Sequence, residues 1–188
     1  MNILDINRFD LLVILACFGM FVLGFIQGTI RRVLGLAAML FSFLFAANLR
    51  DPLGNYLASE WNQFPDEYAI MLAFGIVFGT ATVAFTLIIQ GFYHKQALFQ
   101  KATVLDEVLG GLLGIVELLF FVGCTIVILD SFFTLTNVPE SNAELPFLRP
   151  FWNVMNTSVT AQVFRESLIP AFVALFSFVL PQFIKDMY

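Results

Sequence analysis

The apolar positions of this chain fall into long blocks with few charges, and the blocks have the length of membrane spans. The run from Phe9 to Thr29 holds about 21 residues, enough at ~1.5 Å rise per residue to cover a hydrocarbon core of ~30 Å. Arg31 and Arg32 interrupt it, and Val33 to Leu49 then supplies roughly 17 more, at the short end of what crosses a bilayer. This pattern predicts two spans joined by a tight helical hairpin. From Arg50 to Glu67 the chain turns polar, with Pro52, Gly54, Trp61 and Pro65 as breakers and Asp51, Glu60, Asp66 and Glu67 outnumbering Arg50, so a loop outside the membrane is expected. Tyr68 to Tyr93, about 26 residues without a charge, is the clearest span. A polar connection, His94 to Glu107, leads to a fourth of about 22 residues from Val108 to Leu129, interrupted only by Glu117.

After Asp130 the pattern changes. Asn137 to Glu144 is polar, and Phe147, Leu148, Phe151, Trp152, Met155 and Val159 then recur at helical steps opposite Asn153, Asn156, Thr157 and Thr160. That is an amphipathic helix lying in the interface, with Trp152 at headgroup depth. In Leu168 to Ile184, Pro170 and Pro181 leave only about ten uninterrupted apolar residues, which favours a re-entrant or surface-lying helix over a fifth crossing. The expected fold is all-α: a polytopic four-helix transmembrane bundle over 1–136, followed by an amphipathic and interfacial segment over 137–188.

Composition agrees and excludes other classes. Of the 188 residues 60% are hydrophobic, 12% charged and 24 are Phe, with mean hydropathy +0.89; a soluble domain has roughly twice that charge. A net charge of −5 argues against nucleic acid as a partner, because phosphate binding needs clustered Lys and Arg. Lipid is the first partner, and further copies of the chain or other membrane proteins are candidates. Cys17 and Cys124 sit inside apolar runs and read as small hydrophobes. Met1 to Asp10 carries Asp5 and Asp10 against Arg8 alone, unlike the cationic start of a cleavable signal, so the first span is expected to stay as an anchor. Arg31, Arg32, Lys95 and Lys101 in the short connections place those on the cytoplasmic side, with both termini outside.

Membrane helices pack through small residues, since lipid tails do not drive apolar helices together. Each span offers such a stripe: Gly24 and Gly28; Gly35, Ala38, Ser42 and Ala46; Gly75, Gly79, Thr82, Thr86 and Gln90; Gly110, Gly114 and Glu117. Glu117 lies near the middle of its span, where an ionised side chain costs at least ~2.5 kcal/mol. No Lys or Arg falls within the apolar runs, so a hydrogen bond to Thr80 or Thr82 is expected, in a proton or substrate relay or as a protonated link between helices. His94, the one His, reads as an interfacial side chain. The chain lacks GxxxxGK[ST], GxGxxG, HExxH, GxSxG and CxxC, and one His cannot build a His-rich metal site, so neither an enzyme nor a cofactor is expected.

Three stretches, taken in order, resemble the colicin V production protein (CvpA) family of bacterial inner-membrane proteins. They are Asp10 with Gly28 and Arg31 in QGTIRRVLGL; Asp106, Gly110 and Gly114 in LDEVLGGLLG, closing at Asp130 in LDSF; and SLIP at Ser167 to Pro170. The chain departs from the family pattern at Glu117, where a basic residue is usual, and at Glu107, beside the aspartate. The resemblance implies a role in colicin V production or export and in envelope homeostasis. A small oligomeric channel or transporter, with Glu117, Thr82, Thr86 and Gln90 along a polar path, is the alternative.

Overall fold

A computed structural model of the chain describes residues 7–61, 63–92, 103–134 and 144–188, and every regular element among them is helical. His94, Lys95 and Lys101, the segment 137–143 and the division at 136/137 lie outside the described residues, as does Asp5. Helix α1 (Arg8–Gln27) opens on a reciprocal cap. The Asn7 side chain accepts from the N–H of Phe9 and Asp10, at 2.7 and 3.1 Å, while the Asp10 carboxylate accepts from the Asn7 N–H at 3.1 Å. Gly28 alone ends it, at φ +82°, a left-handed value that L side chains rarely adopt. Helix α2 (Thr29–Glu60) follows at once. The hairpin is tighter than expected: Arg31 and Arg32 lie in the first turn of α2, not in a connection.

The expected loop from Arg50 to Glu67 is the largest correction. Helix α2 runs for 32 residues straight through Pro52, and only Trp61 to Pro65 separates it from α3 (Asp66–Phe92). A proline inside a helix removes one hydrogen bond and crowds the carbonyl four residues back, so packing must hold the helix together. Pro52 points outward, while Arg50, Leu53, Gly54, Leu57 and Ala58 are half-buried or buried at helical spacing. Gly54 sits so close to α3 that a Cβ there would meet Ile70 at 2.8 Å.

Helix α4 (Thr103–Phe133) packs along both α1 and α2. Where α2, α3, α4 and the C-terminal segment converge, Phe43 is 1% exposed. Its ring centroid lies 5.6 to 6.4 Å from Phe74, Phe78, Phe120 and Phe172. Lipid would solvate these rings as well as a core does, so edge-on geometry, about 0.5–1.5 kcal/mol per pair, and close contact favour the packed state.

The C-terminal segment differs from its expected form. The amphipathic helix is split into α5 (Leu148–Asn156) and α6 (Val159–Phe176), parted at Thr157 and Ser158. The Ser158 hydroxyl caps α6 by accepting from the Ala161 N–H at 3.0 Å. Pro170 interrupts α6 no more than Pro52 interrupts α2, because a π-helical turn at Phe164–Leu168 widens the helix just before it. Helix α6 therefore has 18 residues, and it joins α1 to α4 as one of five helices long and apolar enough to cross a membrane. The expected stretch of about ten residues was too short because α6 begins nine residues before Leu168. A turn and Pro181 lead to α7 (Gln182–Met187), with Leu180 and Ile184 buried.

Candidate functional site

Sequence brings glycines to the facing sides of α1 and α4, and the backbones meet there. A Cβ on Gly110 would lie 2.5 Å from the Gly24 carbonyl oxygen and 2.8 Å from the Gly28 carbonyl carbon. One on Gly24 or Gly114 would collide with the carbonyl oxygen of Gly110 or Met20, respectively. Such approach is what small-residue interfaces permit in lipid. At the same level the Thr29 hydroxyl donates to the Asp106 carbonyl oxygen at 2.8 Å, and the Asp106 carboxylate packs on Gly28. Asp106 is 3% exposed. Gly28, Gly110, Gly114 and Asp106 thus form one seam that fixes where α2 starts.

The stripe on α3 does not pack in this way. Gly75 meets only Ile128 at ordinary contact distance, Gly79 has nothing near it, and Thr86 and Gln90 are exposed. Thr82 has a buried hydroxyl without a hydrogen-bond partner.

With α2 starting at Thr29, Arg32 turns inward and forms an ion pair with Glu117. Their side chains are 7% and 14% exposed, so the pair is largely removed from solvent. The expected hydrogen bond from Glu117 to Thr80 or Thr82 is not made; the Thr80 hydroxyl donates to the Ile76 carbonyl oxygen on its own helix, at 2.7 Å. Counting the apolar run from Val33 left Arg32 in a connection, whereas it lies in the first turn of α2 on the side that meets Glu117 of α4. Gly35 leaves room for the Glu117 carboxylate, which a Cβ there would touch.

Beside the pair lies a cavity of about 260 Å³ between α1, α2, α3 and α4. It gathers Arg31, Arg32, Thr86, Gln90 and Glu117, with Gln27 from the end of α1. Of the residues singled out from sequence, the structure joins Glu117, Thr86, Gln90 and Arg31 here, and leaves Thr82 outside the lining.

Two further aspartates, Asp10 and Asp130, organise the C-terminal segment. Asp130, 2% exposed at the end of α4, accepts from Arg165 twice, at 2.6 and 2.7 Å, from the Tyr188 hydroxyl at 2.7 Å and from the Trp152 indole N–H at 3.2 Å. Arg165 also donates to Asn156 at 2.7 Å. Trp152 therefore turns its N–H inward and stacks on Phe133, with centroids 5.2 Å apart. Burial, reinforced by the Asp130 charge, raises the Tyr188 hydroxyl above its ordinary pKa. Asp10 works at the start of α6, accepting from the N–H of Thr160 and Val159, at 2.8 and 3.2 Å, and from the Thr160 hydroxyl at 2.7 Å. Spacing alone could not reveal these partners, which are 22 to 150 residues away in sequence.

Cys17 and Cys124 are free, and Cys124 lies on an apolar cavity of about 250 Å³ with Phe43, Phe120, Phe164 and Phe172. No group of His, Cys, Asp or Glu suited to a metal ion occurs among the described residues.

Comparison with curated proteins and with solved structures gives no match. A comparison with protein families matches residues 9–169 to the family described as Colicin V production protein, from the start of α1 to the middle of α6. That span takes in the glycine seam, the Arg32–Glu117 pair and both aspartate anchors, and with five helices able to cross a membrane it makes the chain a multi-pass membrane protein. The chain belongs to the colicin V production protein family.

Proposed function

We propose that the chain is a non-enzymatic protein of the bacterial inner membrane that supports production or export of colicin V and the upkeep of the envelope. The family match over residues 9–169 carries this reading. The glycine seam supports a scaffold role, because an interface set by backbone contact gives the bundle one arrangement on which other membrane proteins can assemble. Leu11, Leu12, Ile14, Leu15 and Phe18 on α1 stay exposed, free for lipid, a second copy or another membrane protein. In a colicin V-producing strain, deletion is expected to lower toxin release and detergent tolerance. The wild-type chain should restore both, and Gly110→Leu should not. Unaltered toxin release and tolerance in the deletion strain would contradict the proposal.

The cavity favours a second reading, a small oligomeric channel or transporter. Glu117, Thr86 and Gln90 line it together with two arginines, as a polar path through the bundle requires. Proteoliposome flux abolished by Glu117→Gln would support that reading, and flux that is absent or unchanged would remove it.

A further inference from the structure

We infer that the cavity between α1, α2, α3 and α4 binds a phosphoryl anion, with Arg31 and Arg32 as its charged contacts.

The first observation is an imbalance of donors and acceptors. Two guanidinium groups, Arg31 and Arg32, face one carboxylate, Glu117, which leaves one positive charge in the cavity. The other polar lining comes from Gln27, Thr86 and Gln90, all able to donate. Arg31 makes no hydrogen bond or ion pair among the described residues. Arg32, with its side chain 93% removed from solvent, gives one arm to Glu117 while its Nε is buried without an acceptor. A buried donor left unpaired is costly, and no oxygen of the lining meets the Arg32 Nε, so the site as built leaves this arm without an acceptor.

The second observation is position. Because Gly28 makes the whole turn, the end of α1 and the start of α2 lie at one level, and the antiparallel α3 brings Thr86 and Gln90 to the same end of the bundle. Span ends are where phospholipid phosphates lie, and a phosphodiester carries the single negative charge that the cavity is missing. A guanidinium fork matches a phosphoryl group in shape as well as charge. Met20, Leu23 and Ile89 give the cavity an apolar side, and Leu23 is 47% exposed beside the exposed Thr86 and Gln90, so the opening faces sideways between α1 and α3. The volume of about 260 Å³ is several times the ~30 Å³ share of a water molecule, room for a phosphoryl group and its ester. The same chemistry can arrive on a lipid headgroup or on a free phosphate ester.

The inference deepens the polar-cavity reading but needs no flux, so binding without transport would separate the two. The test titrates the detergent-solubilised full chain with dioctanoyl phosphatidylglycerol, dioctanoyl phosphatidylcholine, glycerol 3-phosphate and acetate. Phosphatidylglycerol is expected to bind saturably and more tightly than phosphatidylcholine. Arg31→Gln should weaken it by about tenfold, the scale of one lost charged hydrogen bond, Arg31→Lys should recover part of that loss, and Arg8→Gln, outside the cavity, should leave binding unchanged. The double variant Arg32→Gln/Glu117→Gln, which removes the ion pair without stranding either partner and keeps Arg31, should also weaken binding by about tenfold, and serves where Arg32→Gln alone fails to fold. Arg31-dependent binding of glycerol 3-phosphate without binding of the lipid would uphold the phosphoryl site and assign its ligand to the aqueous side. Equal binding of the two lipids with no dependence on Arg31, or acetate binding as well as glycerol 3-phosphate, would overturn it.

Discussion

Gly24 and Gly110 face each other across the α1–α4 seam so closely that a methyl group on either would run into the other's carbonyl oxygen. Neither backbone can yield as a flexible side chain could, because Gly28, Gly114 and the Thr29–Asp106 hydrogen bond hold the two helices on either side of the contact. Gly110→Ala is therefore expected to force the helices apart and to destabilise the folded chain by about 1–3 kcal/mol, the range for overpacked cores. Gly79→Ala, with open space around its Cβ position, is the control and should cost nothing of that kind. Unfolding in mixed micelles measures both. Equal stability of the two variants would mean that the seam is not the tight contact described here.

Removing one side of the Asp130–Arg165 pair strands the other. Asp130→Ala should cost about 3–5 kcal/mol, because it leaves a guanidinium without its carboxylate, and should release Trp152 and Tyr188 together. Trp152→Phe removes a single hydrogen bond to the same carboxylate and should cost about 1 kcal/mol. Unfolding in mixed micelles measures both costs, and Trp152 emission in a Trp61→Phe background reports its release. A blue-shifted Trp152 emission preserved in Asp130→Ala would show that the aspartate does not anchor α5.

Tyr188 gives a dependence on pH. Its hydroxyl donates to Asp130, and burial followed by the Asp130 charge raises its pKa in the folded state. A phenol whose folded pKa is raised keeps its proton longer than in the unfolded chain. Its contribution is therefore complete below the unfolded value of about 10 and is lost as pH climbs above it. An absorbance titration of the wild type against Tyr188→Phe should show no phenolate from Tyr188 as pH passes about 10. The appearance of that phenolate near the ordinary value would contradict the buried contact.

How much of this could be read from sequence depended on whether a signal was local. Tyr68 to Tyr93 and the fourth apolar run are uncharged or nearly so over a full bilayer width, and α3 follows the first closely, whereas α4 contains the second and extends back to Thr103, through Asp106 and Glu107 of the expected connection, and on to Phe133. The GxxxG spacing of α1 and α4 also pointed at the right faces. Extension of α2 through Pro52 was hidden by its polar outer face, although Leu53, Gly54, Leu57 and Ala58 keep helical spacing on the inner one. The same holds for α6, whose start at Val159 is set by Ser158 and by the distant Asp10. Neither the Arg32–Glu117 pair nor the Asp130 cluster was legible, because each joins residues whose meeting depends on the register of separate helices.

The register of α2 against α4 is the central claim, and the Arg32–Glu117 pair reports it most directly. A double-mutant cycle of Arg32→Gln and Glu117→Gln, read by unfolding in mixed micelles, measures their coupling. Each single variant is expected to lose about 3–5 kcal/mol by stranding a buried charge, and the double variant to recover most of that loss. Losses that simply add would mean that the two side chains do not meet, and that α2 does not begin where Gly28 places it.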